Sequence, residues 1–206
     1  MIRLALLSLA ACSLASAAPL ATEARSTGDF HAVELAGTLD VEVHVGGARH
    51  VEVSGDADAL SHVTTDVRDG RLIISTHRDF HSEHKVTVTV SMPALDAVSL
   101  TGTGKIDVTD AAGPHLAVAL TGTGDIALAG NVGEAAYQLH GTGGVRAKDL
   151  AAKSALVALE GTGSIALRAS DSVSVAVSGV GSVDVFGHPK SVSKTNGGLG
   201  RINVHD

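Results

Sequence analysis

The chain has almost no aromatic residues: Phe30, Phe80, Phe186 and Tyr137 are the full set in 206 residues, with no tryptophan. The usual stacking platform for sugar rings is therefore missing. Cys12 is the only cysteine, so no internal disulfide can form, and stability must come from burial and backbone pairing. Prolines number 4, and no long stretch carries helical periodicity. Cationic charge is scarce as well. A formal net charge of −7 argues against a nucleic-acid partner, which rewards clustered Lys and Arg, and against electrostatic attachment to anionic membranes.

What is abundant is glycine, with 24 residues, and the aliphatic set Val, Ile, Leu and Ala. Much of both sits in one phrase written six times: VSLTGTGKIDV from Val98, VALTGTGDIAL from Val118, YQLHGTGGVRA from Tyr137, VALEGTGSIAL from Val157, VAVSGVGSVDV from Val175, and a worn copy ending GLGRINV at Val204. The first glycines recur every eighteen to twenty residues, at Gly102, Gly122, Gly141, Gly161, Gly179 and Gly198. A unit of that length cannot bury its own apolar face, so the period predicts a solenoid stacked coil on coil.

Positions four and two before each first glycine, and four and six after it, are aliphatic: Val98, Leu100, Ile106 and Val108 in the first copy, Val157, Leu159, Ile165 and Leu167 in the fourth. Residues two apart on a strand share a face, so each copy reads as strand, corner, strand, with these four pointing inward. Lys105 and Asp107, or Ser164 and Ala166, then point out. The paired glycines are structural corner residues, needed for positive φ and close approach of successive coils: Gly102 with Gly104, Gly122 with Gly124, Gly141 with Gly143, Gly161 with Gly163, Gly179 with Gly181, and Gly198 with Gly200. Six copies at one period are corners and not a single phosphate-cradling loop. The residues between them, Thr103, Thr123, Thr142 and Thr162, are expected to form an outer ladder.

Residues 1–17 read as a secretory signal: a positive start at Met1–Arg3, an apolar run, and Ala15-Ser16-Ala17 as the cleavage site. A second parsing takes Leu9-Ala10-Ala11-Cys12 as a lipobox, which would attach the protein to a membrane through Cys12. The apolar character that continues past Cys12 favours the first. Both parsings export the chain, to the periplasm or the cell surface. Residues 18–29 are small and polar and read as a disordered lead-in, and residues 30–206 as one solenoid domain. Gly37 serves as an early corner, with Val33, Leu35, Val41 and Val43 on the inward offsets. HVEVSG, with Val51, Val53 and Gly55, reads as the start of a second coil. Between residues 56 and 93 the pattern lapses into strands HVTTDV, RLIIST and KVTVTVSM, the first two joined at Asp69-Gly70, forming either an antiparallel flap or irregular coils. Regular coils resume over 94–185. In residues 186–206 Lys194 and Asn196 replace inward aliphatics, as a closing cap should.

Taken together, the FxxVELxGxxxVEV opening, the GRLIIST strand, the VTVxVSMPALDAVSLTGTGxIDV phrase, the GTGxI copies and the FGHPKSVSK…GGLG tail resemble the bacterial auto-transporter adhesin family with the head GIN domain. The resemblance covers residues 28–206. It implies an exported all-β, right-handed parallel β-helix in the cell envelope with an adhesive role and no established catalytic residues. It names no cofactor, and the partner it implies is an unidentified protein or envelope component.

Enzymatic readings find little support. No two carboxylates share an offset on neighbouring coils, which a paired general acid and base would need. G-x-S-x-G and H-E-x-x-H motifs are absent. The sharpest local chemistry is His77, His81 and His84 in the connection HRDFHSEH, with Asp79 and Glu83 interleaved. Three imidazoles within eight residues could hold zinc, copper or nickel if the loop curls back, while the simpler reading is a solvated connection. The expectation is a non-enzymatic envelope module that binds a partner, with a self-assembling structural protein as the alternative.

Overall fold

The computed structural model describes residues 20–77 and 84–205. The signal segment, Cys12 and His81 lie outside the described residues. The chain is nearly all β and forms a β-solenoid of about 5 turns. The stack begins at β2 (Ala32–Leu35) and β3 (Thr38–Val45), joined by the corner at Gly37. It resumes at β8 (Ala97–Leu100) and β9 (Thr103–Leu120), followed by β10 (Thr123–Leu139), β11 (Thr142–Leu159) and β12 (Thr162–Val177). Each long strand leaves one glycine corner along one flank, bends, and returns along the other flank to the next corner. Successive coils pair in parallel and in register, Thr103 beside Thr123, Thr123 beside Thr142, and Thr142 beside Thr162.

The alternation read from sequence places the core correctly. Val41, Ile106, Ile126, Val145, Ile165 and Val183 stack into one inner row. Leu35, Leu100, Leu120, Leu139, Leu159 and Val177 form another. All twelve are buried. Each aliphatic side chain taken out of water contributes about 1.5–3 kcal/mol, enough to hold a stack without disulfides. Tyr137 occupies a row otherwise filled by Val118, Val157 and Val175, and the neighbouring inward places are the small Ala135 and Ala155. Its hydroxyl is buried without a hydrogen-bond partner among the described residues, and burial pushes the phenol well above its ordinary pKa.

At the corners the two glycines act differently, which corrects the expectation that both need positive φ. The first of each pair, Gly102, Gly122, Gly141, Gly161, Gly179 and Gly198, has no positive φ and is required for space alone. A Cβ on Gly122 would overlap the carbonyl oxygen of Gly102, and one on Gly161 that of Gly141. The second glycines combine both demands in five corners. Gly104, Gly124, Gly143, Gly163 and Gly181 have φ of 141°, 142°, 140°, 157° and 150°. Gly124 also lies against the Gly104 carbonyl oxygen, Gly143 against that of Gly124, Gly163 against that of Gly143, and Gly181 against that of Gly163. Gly200 departs from them. It lacks positive φ, and a Cβ there would first meet the Val177 side chain. Its corner is the last and is closed differently, with Asn196 donating from Nδ2 to the Gly200 carbonyl at 2.7 Å. The corners themselves join the ladder, the last included: the Thr123 amide donates to the Gly102 carbonyl at 3.0 Å, the Thr142 amide to Gly122 at 3.0 Å, and the Leu199 amide to Gly179 at 3.1 Å.

The irregular region runs backwards. β4 (His50–Asp56), α1 (Ala57–Leu60) and β5 (Val63–Arg68) lead to β6 (Arg71–Thr76) and, later, β7 (Thr87–Met92). β6 pairs in parallel with β2, and β7 with β3. β6 and β7 thus lie on the outer side of the first coil, after which the chain crosses back to β8. The HVEVSG segment is not a second coil, because β4 pairs antiparallel with β7 at the rim. β5 joins β6 through the turn at Asp69 (φ 50°) and Gly70 (φ 71°), where the paired positive values match a tight hairpin. The lead-in is corrected too: β1 (Leu20–Arg25) pairs antiparallel with β4, and Arg25 donates from Nη2 to the Leu60 carbonyl at 2.9 Å. At the far end β13 (Val180–Phe186), β14 (Ser191–Asn196) and β15 (Arg201–Val204) form the last rungs.

Candidate functional site

The flank that follows each corner carries Asp40, Glu42, Lys105, Asp107, Asp125, Arg146 and Asp184. Because β3 lies directly beside β9, Glu42 sits next to Asp107 and Asp40 next to Lys105. Two carboxylates therefore do share an offset on neighbouring coils, contrary to the sequence reading. The pair escapes notice because its members are separated by the whole insert. Lys105 bridges Asp107 at 2.6 Å, and Lys85 pairs with Asp40. The hydrogen bond to Asp40 and its charge, with Glu42 and Asp107 beyond, hold the Lys85 ammonium above its ordinary pKa. Two lysines among three carboxylates make this a pinned charge cluster.

Further along the flank Arg146 reaches back to Asp125 at 3.3 Å on the preceding coil. Between these pairs lies a groove of about 470 Å³ with Ala127, Leu128 and Ala129 as its floor and Ala166, on the coil beyond Arg146, also lining it. Asp107 and Thr109 form one wall; Arg146, Lys148 and Asp149 form the other. The second wall rises because the pairing of β11 with β12 steps from Ala147 to Ala151, so residues 148–150 bulge on that side with Lys148 and Asp149 exposed, while Asp149 and Leu150 still pair with Ala129 and Gly130 of β10. Unequal periods carry that signal: Gly141 to Gly161 spans two residues more than Gly161 to Gly179. Lys148 places its ammonium 4.2 Å from the centre of the Phe186 ring, and His205 stacks on Phe186 at 4.4 Å. His205 also bonds Asp184 at 2.8 Å, with Asn203 donating at 3.0 Å and Ser182 at 3.2 Å. Partial burial pushes the Asp184 carboxyl up, but these bonds outweigh it and hold its pKa below the ordinary value.

The opposite flank holds ion pairs of its own, Glu34 with Arg71, Glu134 with His115 and Asp171 with Lys190. Its outer positions include Ala117, Ala136 and Ala158, with Leu156 51% exposed. The corner row is exposed throughout: Thr38, Thr103, Thr123, Thr142 and Thr162, then Val180 and Leu199.

The histidine connection is only partly described. His77 donates its amide to the His62 carbonyl at 2.8 Å. His84 is drawn toward the body of the protein: its Nδ1 lies 2.6 Å from Oδ1 of the buried Asp56, and its amide donates to the other carboxylate oxygen at 3.1 Å. Among the described residues no group of three or more His, Cys, Asp or Glu is placed to hold a metal.

Comparison with known proteins adds a lineage. The family described as "Putative auto-transporter adhesin, head GIN domain" matches residues 29–189. A crystal structure of a putative adhesin from Bacteroides fragilis superposes with a TM-score of 0.72 at 21% identity, covering 91% of this chain and 97% of that one. A putative lipid binding protein from Parabacteroides distasonis superposes with a TM-score of 0.56 at 18% identity, again over 91% of this chain and 97% of the other. At these identities the likeness speaks to the fold. No curated protein matches the chain.

Proposed function

The chain belongs to the auto-transporter adhesin family with the head GIN domain, and on that premise we propose that it is a non-enzymatic, exported envelope module that binds a partner along the flank following its glycine corners. The supporting observation is the division of that flank. Its carboxylates at Asp40, Asp107, Asp125 and Asp184 are engaged by neighbouring side chains, whereas an apolar floor between two polar walls stays open. Engaged carboxylates are poorly placed to exchange protons with a substrate, while an apolar floor with a charged rim is the anatomy of a recognition site.

The test is retention of envelope components by the immobilised protein, compared with an Ala127→Arg/Ala166→Arg variant. Both alanines face outward, so the variant should melt within a few degrees of the parent and lose at least tenfold in retention. Equal retention by the folded variant, or turnover of an envelope polysaccharide by the parent, overturns the proposal.

A further inference from the structure

The two ends of the stack are built differently. At the N-terminal end Ala59, Leu60 and Val63 are buried over the inner rows, so α1 and the start of β5 close the interior. At the C-terminal end Ile202 and Val204 are only half-buried, Leu199 is 84% exposed and Val180 50%. Each flank also has one free strand edge at each end among the described residues. One flank runs from β1 to β15; the other has β5 outermost at one end and β14 at the other. Unpaired edges invite strand addition from another chain.

Lys194 and Asn196 limit what can add. They stand in the rows of Val175 and Val177, so a neutral strand laid over β14 would trap an ammonium without a counter-charge. The entrant must bring carboxylates. Beyond Lys190, which Asp171 holds at 2.7 Å, the chain from residue 187 onward carries Lys194 and Arg201 against a single acid, Asp206. The N-terminal elements, residues 20–25 and 50–70, carry five carboxylates besides the buried Asp56 (Glu23, Glu52, Asp58, Asp66, Asp69) and two arginines (Arg25, Arg68). Two C-terminal ends would repel each other, whereas unlike ends attract.

We infer that the C-terminal rung receives the acidic N-terminal cap of a second copy, so that solenoids associate head to tail. In that arrangement β15 meets β1 and β14 meets β5, each on its own flank. β5 turns Val63, Thr65 and Val67 inward and Asp66 outward, so the carboxylate for Lys194 comes from the exposed Asp58 on α1, over the interior. β1 has the same direction as β7, being antiparallel to β4, so the β15–β1 pair continues the parallel stack. Such a contact is heterologous and does not close on itself, so it yields open chains. The inference is independent of lateral partner binding, because it uses only the ends.

Sedimentation velocity of the purified protein over a concentration series tests it. Mean mass should rise past that of a dimer without a plateau and fall as salt is raised, since the attraction is between exposed charges. Lys194→Glu/Arg201→Glu should remain monomeric with an unchanged melting temperature, as should Asp58→Lys/Asp66→Lys. Mixing the two should restore association, because each then offers an end of opposite charge to the other. A monomer at every concentration and salt overturns the inference. So does a dimer of fixed mass that is indifferent to the end substitutions.

Discussion

A methyl group added at Gly161 would land on the Gly141 carbonyl, within a corner whose amides already pair with the coil before it. The neighbouring backbone can yield only by loosening that ladder, so Gly161→Ala should cost about 1–3 kcal/mol, as overpacking does. Gly197 has open space around the corresponding position, and Gly197→Ala should leave the melting temperature within a degree or two. Differential calorimetry of the two variants measures the contrast; equal losses would mean that corner contact does not limit the stack. Tyr137 offers a test of opposite sign. Its hydroxyl is desolvated without a partner, so Tyr137→Phe removes an unmet hydrogen-bonding group and should raise stability by about 1 kcal/mol, read as a higher denaturant midpoint. Which residues point inward was legible because alternation along a strand is local. Which inward residue leaves a polar atom stranded was not, because that depends on two neighbouring coils.

Among the elements, β1 was missed for a physical reason. Leu20–Arg25 has the composition of a loose tail, and its strand form is imposed by the free edge of β4. Hydrogen exchange should therefore show slower exchange across residues 21–25 than across 26–29; equal, rapid exchange would return the segment to a tail. The inverted order was illegible for a related reason, since β6 finds β2 across some forty residues and no local pattern encodes it. The same inversion hid the Glu42–Asp107 neighbours. At the other end Asp184 ties β13 to β15. Its pKa is lowered in the folded protein, so the stability it confers is complete above the unfolded carboxyl value of about 3.9 and is lost as pH falls through its depressed folded value. Asp184→Asn should lower the melting temperature at pH 6 and flatten its fall between pH 5 and 2. An acid limb as steep as the parent's would assign that slope to other groups.

At the level of the whole molecule, nearly equivalent coils imply that one can be removed. Deleting residues 142–161 joins Gly141 to Thr162, restores the corner sequence, and offers β10 the partner that β11 had. The shortened protein should keep a β-type circular dichroism spectrum and one cooperative transition at a lower temperature, as nearest-neighbour stacking predicts. Failure to fold would show that the coils are not interchangeable. The backward placement of β6 and β7 also sets the order in which the stack can assemble. Residues 32–45 enter the stack between β6 and β7 on one side and residues 97–108 on the other, so the first stretch of solenoid to be synthesised has no parallel neighbour when it emerges. At roughly 5–20 residues per second, β2 waits about 2–8 s for β6. Through that interval Val33, Leu35, Val41 and Val43 are unsheltered, and the nascent chain is a natural client for a holding chaperone.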